Sequence, residues 1–175
     1  MKNFYVKQKA FSIRDRYKVY DANQNVIYHC EGKMFSWTNR VDIYETHNNR
    51  HIYTLSKKVL SFMPTYYLDD PKGNRVAFIK KNFAMLKQSI SIETTQYGYF
   101  HVEGNVFAHQ FTITSDKGIV VTVQKKLFSW GDTYEVAIDE KLAETDLMIA
   151  FVIMIDSMLH NQKKGSSSSS SSRRR

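Results

Sequence analysis

The sequence predicts a mainly β fold: a closed antiparallel barrel of about twelve strands that encloses one hydrophobic α-helix near the C-terminus. Three observations support this prediction. A short motif recurs six times at nearly constant spacing, each copy is flanked by two β-rich runs, and one all-apolar segment follows the last copy. The chain has 175 residues, which suits one domain with a substantial core.

The recurring motif is Lys-x-Phe or Lys-x-Leu, with Asn in place of Lys in the fifth copy. Its copies begin, at intervals of 24, 25, 23, 24 and 21 residues, at Lys9, Lys33, Lys58, Lys81, Asn105 and Lys126. A β-rich run precedes each copy, and a short turn and a strictly alternating run follow it. Alternation with period two indicates a strand with one apolar face, so each copy predicts a hairpin.

Polar clusters rich in Asn, Asp and Gly separate these hairpins, at 21–25, 46–50, 69–74, 95–98 and 115–118. Such residues accept the backbone angles of tight turns. Six hairpins give about twelve strands, and an open sheet of that size would leave edges that invite aggregation. Closure into a barrel removes the edges, but it leaves a bore too wide for the strands' own side chains to fill.

The segment near 142–160 is predicted to fill that bore as a helix. Its apolar residues cover nearly every helical direction, and a helix without a polar face is buried. A membrane-surface helix would need a basic face, which this segment lacks. We expect Asp139 to cap its start. Asp156, the one charge in the apolar stretch, marks either the exit from the barrel mouth or a buried carboxylate that needs partners.

Residues 1–162 are predicted to form this single domain, and 163–175 a disordered tail of Lys, Gly, seven Ser and three Arg. The tail supplies five positive charges of the net +8, which leaves 20 basic and 17 acidic residues in the domain. Residues 1–10 lack the apolar run of a signal peptide, and the longest apolar run, 147–155, is too short to cross a bilayer. We expect a soluble cytoplasmic protein, with a peripheral membrane position as the alternative.

Two segments resemble the bacterial LURP-one-related proteins: Tyr-Val-Lys-Gln-Lys-Ala-Phe-Ser-Ile-Arg-Asp-Arg-Tyr at 5–17 and Phe-Ser-Trp-Gly-Asp-Thr-Tyr-Glu-Val at 128–136. The resemblance covers residues 1 to about 160. It implies the fold of the tubby C-terminal domain and, by proposed relationship, the phospholipid scramblases, in which a twelve-stranded barrel surrounds a central C-terminal helix. Tubby domains bind phosphoinositide headgroups, and plant members of the family are linked to defence. The basic headgroup motif of tubby has no match here, so no tubby residue is carried over.

The sequence contains no catalytic or cofactor-binding signature: it lacks a Gly-rich phosphate loop, His-Glu-x-x-His and Gly-x-Ser-x-Gly. We therefore expect no enzyme, no cofactor and no metal. The single cysteine, Cys30, is expected in the core rather than as a nucleophile. His47 and His51 flank a predicted turn without a third ligand nearby, which favours polar turn residues over a metal pair.

Asp15 and Asp132 hold equivalent places in the first and sixth units, in Phe-Ser-x-x-Asp-x-Tyr. This equivalence favours a structural role in which each carboxylate closes its own turn. A paired acid–base role would require the two turns to meet.

Lysine doublets recur in register just before three of the predicted turns. Because neighbouring side chains of a strand point to opposite faces, one lysine of each doublet aims inward unless a bulge or strand end lets both reach water. With nearby arginines they form a candidate site for an anionic headgroup: Lys57, Lys58, Lys80, Lys81, Lys125, Lys126, Arg14, Arg16 and Arg40. Trp37 and Trp130 would lie at the membrane interface beside it. The alternative is that the lysines only solubilise strand ends and the tryptophans cover the helix ends.

The leading hypothesis is a non-enzymatic intracellular module that binds anionic phospholipid headgroups or another phosphorylated ligand. The competing hypothesis is a protein-interaction scaffold with no small ligand. Nucleic-acid binding ranks third, because it rests on the Lys and Arg residues of the tail.

Overall fold

The computed structural model describes residues 1–8, 15–32, 40–58, 65–81, 90–125 and 133–167. These ranges contain twelve strands, a 3₁₀ turn at Val106–Ala108 and one helix. The strands are β1 Lys2–Gln8, β2 Asp15–Tyr20, β3 Val26–Glu31, β4 Arg40–Glu45, β5 Arg50–Lys58, β6 Thr65–Asp69, β7 Arg75–Lys81, β8 Ile90–Thr94, β9 Tyr99–Asn105, β10 Gln110–Ser115, β11 Gly118–Lys125 and β12 Thr133–Ile138, and the helix is α1 Thr145–Ser167.

The twelve strands form a closed antiparallel barrel in which each strand pairs with its neighbours in sequence. The ring closes between β1 and β12, where Lys2 lies opposite Ile138 and Lys7 opposite Thr133. Four of the ladders contain a register shift, and such bulges increase the local twist that a barrel needs. The predicted fold class and its six hairpins are therefore confirmed.

Helix α1 occupies the interior of the barrel. Every residue of 147–155 is at most 2% exposed, as expected for a helix that is apolar on all sides. The inward residues of the strands pack against it, and one such contact places the Phe100 ring edge-on to Phe151 with centroids 5.3 Å apart. Removing this apolar surface from water is the main force that holds barrel and helix together.

The barrel has two distinct rims. At the upper rim the helix begins and the even-numbered strands end; at the lower rim the odd-numbered strands end. Short turns close the upper rim, and in two of them an Asp side chain accepts backbone N–H groups of the same turn. The Oδ1 atom of Asp21 accepts the N–H groups of Asn23 and Asn25, and Asp70 does the same for the turn that ends at Asn74.

The helix begins later than the sequence suggested, at residue 145 rather than near 142. Asp139 does not cap it: its carbonyl accepts the N–H groups of Leu142 and Ala143, so it closes a turn that precedes the helix. The carbonyl of Glu144 accepts the first helical bond, from the Met148 N–H. At the other end the helical backbone continues to residue 167, into the predicted tail, and 168–175 lie outside the described residues.

Candidate functional site

The lysine doublets lie where strands end at the lower rim. Lys58, Lys81 and Lys125 are the last residues of β5, β7 and β11. Strands β5 and β7 are separated by one strand, whereas β11 lies across the barrel from β5. These lysines are therefore spread around one rim and do not form a single compact cluster. Arg14 and Lys126 lie outside the described residues.

Strand register gives inner and outer positions to the doublet lysines that the structure describes. Lys57 is paired in the ladder with the buried Tyr66, and its Nζ lies 5.7 Å from the centroid of that ring. The backbones of Lys81 and Lys125 are paired with two other buried residues, Ile90 and Tyr134. Directly paired residues share a face of the sheet, so Lys57, Lys81 and Lys125 hold inner-face register positions. Lys58 and Lys80 are both paired with Thr65, which is next to Tyr66, so they hold outer-face register positions.

Two of the predicted arginines, Arg16 and Arg40, are within the described ranges. They lie on β2 and β4, which are separated by β3. Arg16 is the second residue of β2, and Arg40 is the first residue of β4. The Arg40 Nε donates to Asp42 at 3.0 Å and its Nη2 donates to Thr54 at 3.2 Å. Arg40 is therefore held along the outer wall of the barrel and does not point toward the inner lysine positions.

The segments that connect the strands differ in charge between the two rims. The segments that link strands at the lower rim contain five Lys or Arg residues and one acidic residue: Lys9, Arg14, Lys33, Lys87, Lys126 and Asp132. The turns of the upper rim and the segment that leads into α1 contain six acidic and three basic residues: Asp21, Asp70, Asp116, Asp139, Glu140, Glu144, Lys72, Lys117 and Lys141. The connecting segments are thus basic in sequence at the lower rim and acidic in sequence at the upper rim.

A buried polar cluster lies inside the barrel near the lower rim, around Asp156 of the helix. The Tyr17 hydroxyl donates to Asp156 Oδ2 at 2.7 Å, and His109 Nε2 lies 2.7 Å from Asp156 Oδ1. Ser157 Oγ is 3.4 Å from the same hydroxyl. Asp156 is only 6% exposed, so the expectation that it marks the exit from the mouth is wrong. It is the partnered, buried carboxylate of the alternative.

A second tyrosine completes this cluster. The Tyr134 ring stacks on the His109 ring, with centroids 4.5 Å apart, and its buried hydroxyl has no hydrogen-bond partner among the described residues. Burial raises the pKa of both Tyr17 and Tyr134 well above the ordinary value, and the negative charge of Asp156 raises it further. Both phenols therefore stay neutral, and Tyr17 acts as a donor that anchors the helix to β2.

Part of this cluster had a signal in the sequence. Tyr17 and Tyr134 are the tyrosines of the two Phe-Ser-x-x-Asp-x-Tyr motifs, on the strands that flank β1. The tyrosine that the two motifs share, and not only the aspartate, was the sequence signal that both positions belong to one cluster. His109 belongs to the fifth unit, whose motif has Asn105 instead of Lys. It follows the 3₁₀ turn in a left-handed conformation with φ of 52°. The side chains of Asp15 and Asp132 are not described, so their role stays a prediction.

The other chemically reactive side chains that the structure describes do not assemble into a metal site. No three His, Cys, Asp or Glu side chains of the described ranges come together in a way that could hold a metal ion. Cys30 is buried in the barrel, and burial raises the pKa of its thiol. His47 lies beside Glu45, and His51 beside Thr54 and Asp42. In the same ranges, no helix has both the length and the hydropathy needed to cross a bilayer.

A closed antiparallel barrel around a buried C-terminal helix defines the class of tubby-like barrels. The chain belongs to the LURP-one-related family, whose model matches residues 2–156. It is 26% identical over 165 residues to the uncharacterized protein YxjI of Bacillus subtilis (strain 168), covering 93% of this chain and 97% of that protein. The fold is similar to that of an Arabidopsis thaliana protein solved by X-ray crystallography, with a TM-score of 0.65, 10% identity and 90% coverage of each chain.

Proposed function

We propose that the protein is a non-enzymatic binding module that docks its lower rim on anionic phospholipid headgroups at the cytoplasmic face of a membrane. The observation that supports this most is the opposite charge of the connecting segments at the two rims. A field of this kind orients the barrel as it approaches a negatively charged surface, so that the basic end arrives first.

The arrangement of the lysines suits a surface better than a single small ligand. Lys58, Lys81 and Lys125 end strands that are spread around the rim, so they would reach separate headgroups of one flat layer. A basic residue near an anionic leaflet contributes about 1 kcal/mol of attraction. The three together would then favour the bound state by about 3 kcal/mol.

The sequence of the lower-rim linkers supports the same orientation. They combine their basic residues with large apolar ones, as in Met34-Phe35-Ser36-Trp37 and Leu127-Phe128-Ser129-Trp130. Tryptophan is enriched where protein meets the headgroup layer, because its ring is apolar and its N–H needs a polar partner. The turns of the upper rim contain no tryptophan.

The proposal is tested by co-sedimentation of the full chain with vesicles. Phosphatidylcholine vesicles are compared with vesicles that also contain phosphatidylserine or a phosphoinositide, at low and high salt. Soluble inositol phosphates are added as competitors, which separates recognition of a phosphate group from recognition of a membrane. We expect binding only to the anionic vesicles, with a loss at high salt because exposed charges are screened.

Two matched triple variants locate the surface. K58A/K81A/K125A removes three lower-rim lysines and should weaken binding on the order of 100-fold, from about 1 kcal/mol for each lysine. K72A/K117A/K141A removes the same charge from the upper rim and should bind like the wild type. A third variant, R173S/R174S/R175S, measures the contribution of the tail. Equal loss in the first two variants, or binding that disappears only with the tail arginines, would refute the proposal.

A further inference from the structure

The fifth copy of the repeated motif forms a short turn at the lower rim, between β9 and β10. Strand β9 ends at Asn105, the 3₁₀ turn Val106–Ala108 follows, and β10 begins at Gln110. Val106 is only 3% exposed, whereas Phe107 is 39% exposed although it is large and apolar. The turn therefore presents an aromatic ring to water at the rim whose connecting segments are basic.

Hydrogen bonds fix the backbone of this turn on both sides of Phe107. The Asn105 side chain accepts the Ala108 N–H at 3.1 Å, and the His109 N–H donates to the Val106 carbonyl at 3.1 Å. Asn105 stands where the other five copies have Lys, and a lysine side chain has no acceptor for the first of these bonds. The departure from the motif thus stabilises the turn. A ring that is held on an ordered turn loses little conformational entropy when it binds.

The turn is also anchored to the central helix through His109. The backbone of His109 has a φ of 52°, which is uncommon for a residue other than glycine and persists where the surroundings hold it. Its Nε2 lies 2.7 Å from Asp156 Oδ1, and its ring stacks on Tyr134. The buried polar cluster therefore helps to set the position of Phe107.

The repeat places a comparable apolar residue at the lower rim in every unit. The third residue of the motif follows the end of each odd-numbered strand by two to four positions: Phe11, Phe35, Leu60, Phe83, Phe107 and Phe128. In five of the six units a Lys stands two positions before it. A cation close to an apolar side chain suits the boundary of a bilayer, where the charge stays among the headgroups while the apolar group is buried.

We propose that Phe107 inserts below the headgroups of the anionic membrane on which the lower rim docks. This proposal rests on the proposed function and adds to it an apolar contact that salt does not screen. Burial of the exposed 39% of this side chain should strengthen binding about fivefold.

Co-sedimentation with anionic vesicles compares Phe107→Ser with a matched control, Ile119→Ser. Ile119 is 46% exposed and lies near the start of β11, at the upper rim. We expect Phe107→Ser to weaken binding about fivefold at both low and raised salt, and Ile119→Ser to bind like the wild type. The effect of K58A/K81A/K125A should instead shrink as salt rises, because it removes charge. Circular dichroism verifies that each variant is folded.

The location of the side chain is measured with an environment-sensitive fluorophore. Cys30 is the only cysteine of the chain and is fully buried, so a thiol introduced by Phe107→Cys or Ile119→Cys is labelled selectively. Anionic vesicles should brighten the label at 107 and shift its emission to shorter wavelength. Brominated acyl chains should then quench it. The label at 119 should show none of these changes.

The outcomes separate this proposal from the proposed function. A wild-type protein that ignores anionic vesicles would refute both. Binding by the wild type with an equal affinity for Phe107→Ser, or with a label at 107 that keeps its emission in water, would overturn only the insertion of Phe107. In that case the lower rim would dock through its charges alone.

Discussion

The buried Tyr17–Asp156 hydrogen bond offers the sharpest prediction about the fold, because the chain contains a natural control for it. Tyr17→Phe removes a hydroxyl that donates to a buried carboxylate at 2.7 Å. Hydrogen bonds to charged groups contribute about 1.5–3 kcal/mol. We therefore expect Tyr17→Phe to lower the free energy of unfolding by about 2 kcal/mol.

The control is Tyr134→Phe. Tyr134 occupies the equivalent place in the second copy of the motif and is just as buried, but its hydroxyl has no hydrogen-bond partner in the described part of the chain. Removing an unsatisfied buried hydroxyl recovers its desolvation penalty. This variant should therefore be neutral or slightly more stable than the wild type.

A double-mutant cycle measures the coupling directly. Asp156→Ala alone leaves Tyr17 and His109 without their shared acceptor and should cost about 3–5 kcal/mol. In the double variant no Tyr17 hydroxyl remains to lose its partner. The double variant should therefore cost about 1–2 kcal/mol less than the sum of the two single variants. Urea unfolding followed by far-ultraviolet circular dichroism gives all of these values. Equal costs for Tyr17→Phe and Tyr134→Phe, or strict additivity in the cycle, would refute the assigned role of the bond.

Two further predictions concern stability at high pH and close packing of the backbone. Burial is the main reason that the pKa values of Tyr17, Tyr28, Tyr53 and Tyr134 lie above the ordinary 10.0, with that of Tyr53 raised to about 12. The folded state keeps these protons above pH 10 while the unfolded chain releases them, so the free energy of unfolding should fall as the pH rises above 10. The fall should be about 1.4 kcal/mol per pH unit for each of the fully buried Tyr17 and Tyr134, and smaller for Tyr28 and Tyr53, whose charge solvent partly screens. Ultraviolet titration should show Tyr17 and Tyr134 forming tyrosinate only together with unfolding, and early titration of all tyrosines would contradict this. Gly104 and Gly118 have nearly the same φ, 116° and 115°, but a Cβ at Gly104 would lie 2.6 Å from the Gln110 carbonyl oxygen whereas nothing lies near one at Gly118. Gly104→Ala should therefore cost about 1–3 kcal/mol more than Gly118→Ala in urea unfolding, and equal costs would show that the strand separation adapts.

The repeat made the barrel predictable because it is local. Each hairpin is specified by an alternating run, a short motif and a second run, all within about 25 residues. The helix was predictable for a related reason, since a segment that is apolar on every side has no stable place except the interior. Its start was misplaced because an aspartate followed by polar residues favours an isolated turn as well as a helix cap, and local sequence does not separate the two.

The polar cluster could not be predicted from the sequence because it joins distant segments. Asp156 contacts residues 139 and 47 positions away, Tyr17 and His109, and nothing local predicts which strands face it. For the lysine doublets, alternation predicts one inner and one outer register position, but it does not say which lysine takes which. Only the register with Tyr66, Ile90 and Tyr134 identifies the inner ones.

The two tryptophans provide the most direct test of the claim that the lower rim faces a membrane. Trp37 and Trp130 are the only tryptophans in the chain, and both lie in segments that link strand ends at that rim. Intrinsic fluorescence of the unmodified protein is recorded as vesicles with brominated acyl chains are added. Docking by the lower rim predicts a blue shift and quenching with anionic vesicles, and neither with neutral ones. An unchanged spectrum from protein that nevertheless sediments with the anionic vesicles would show that another surface makes the contact.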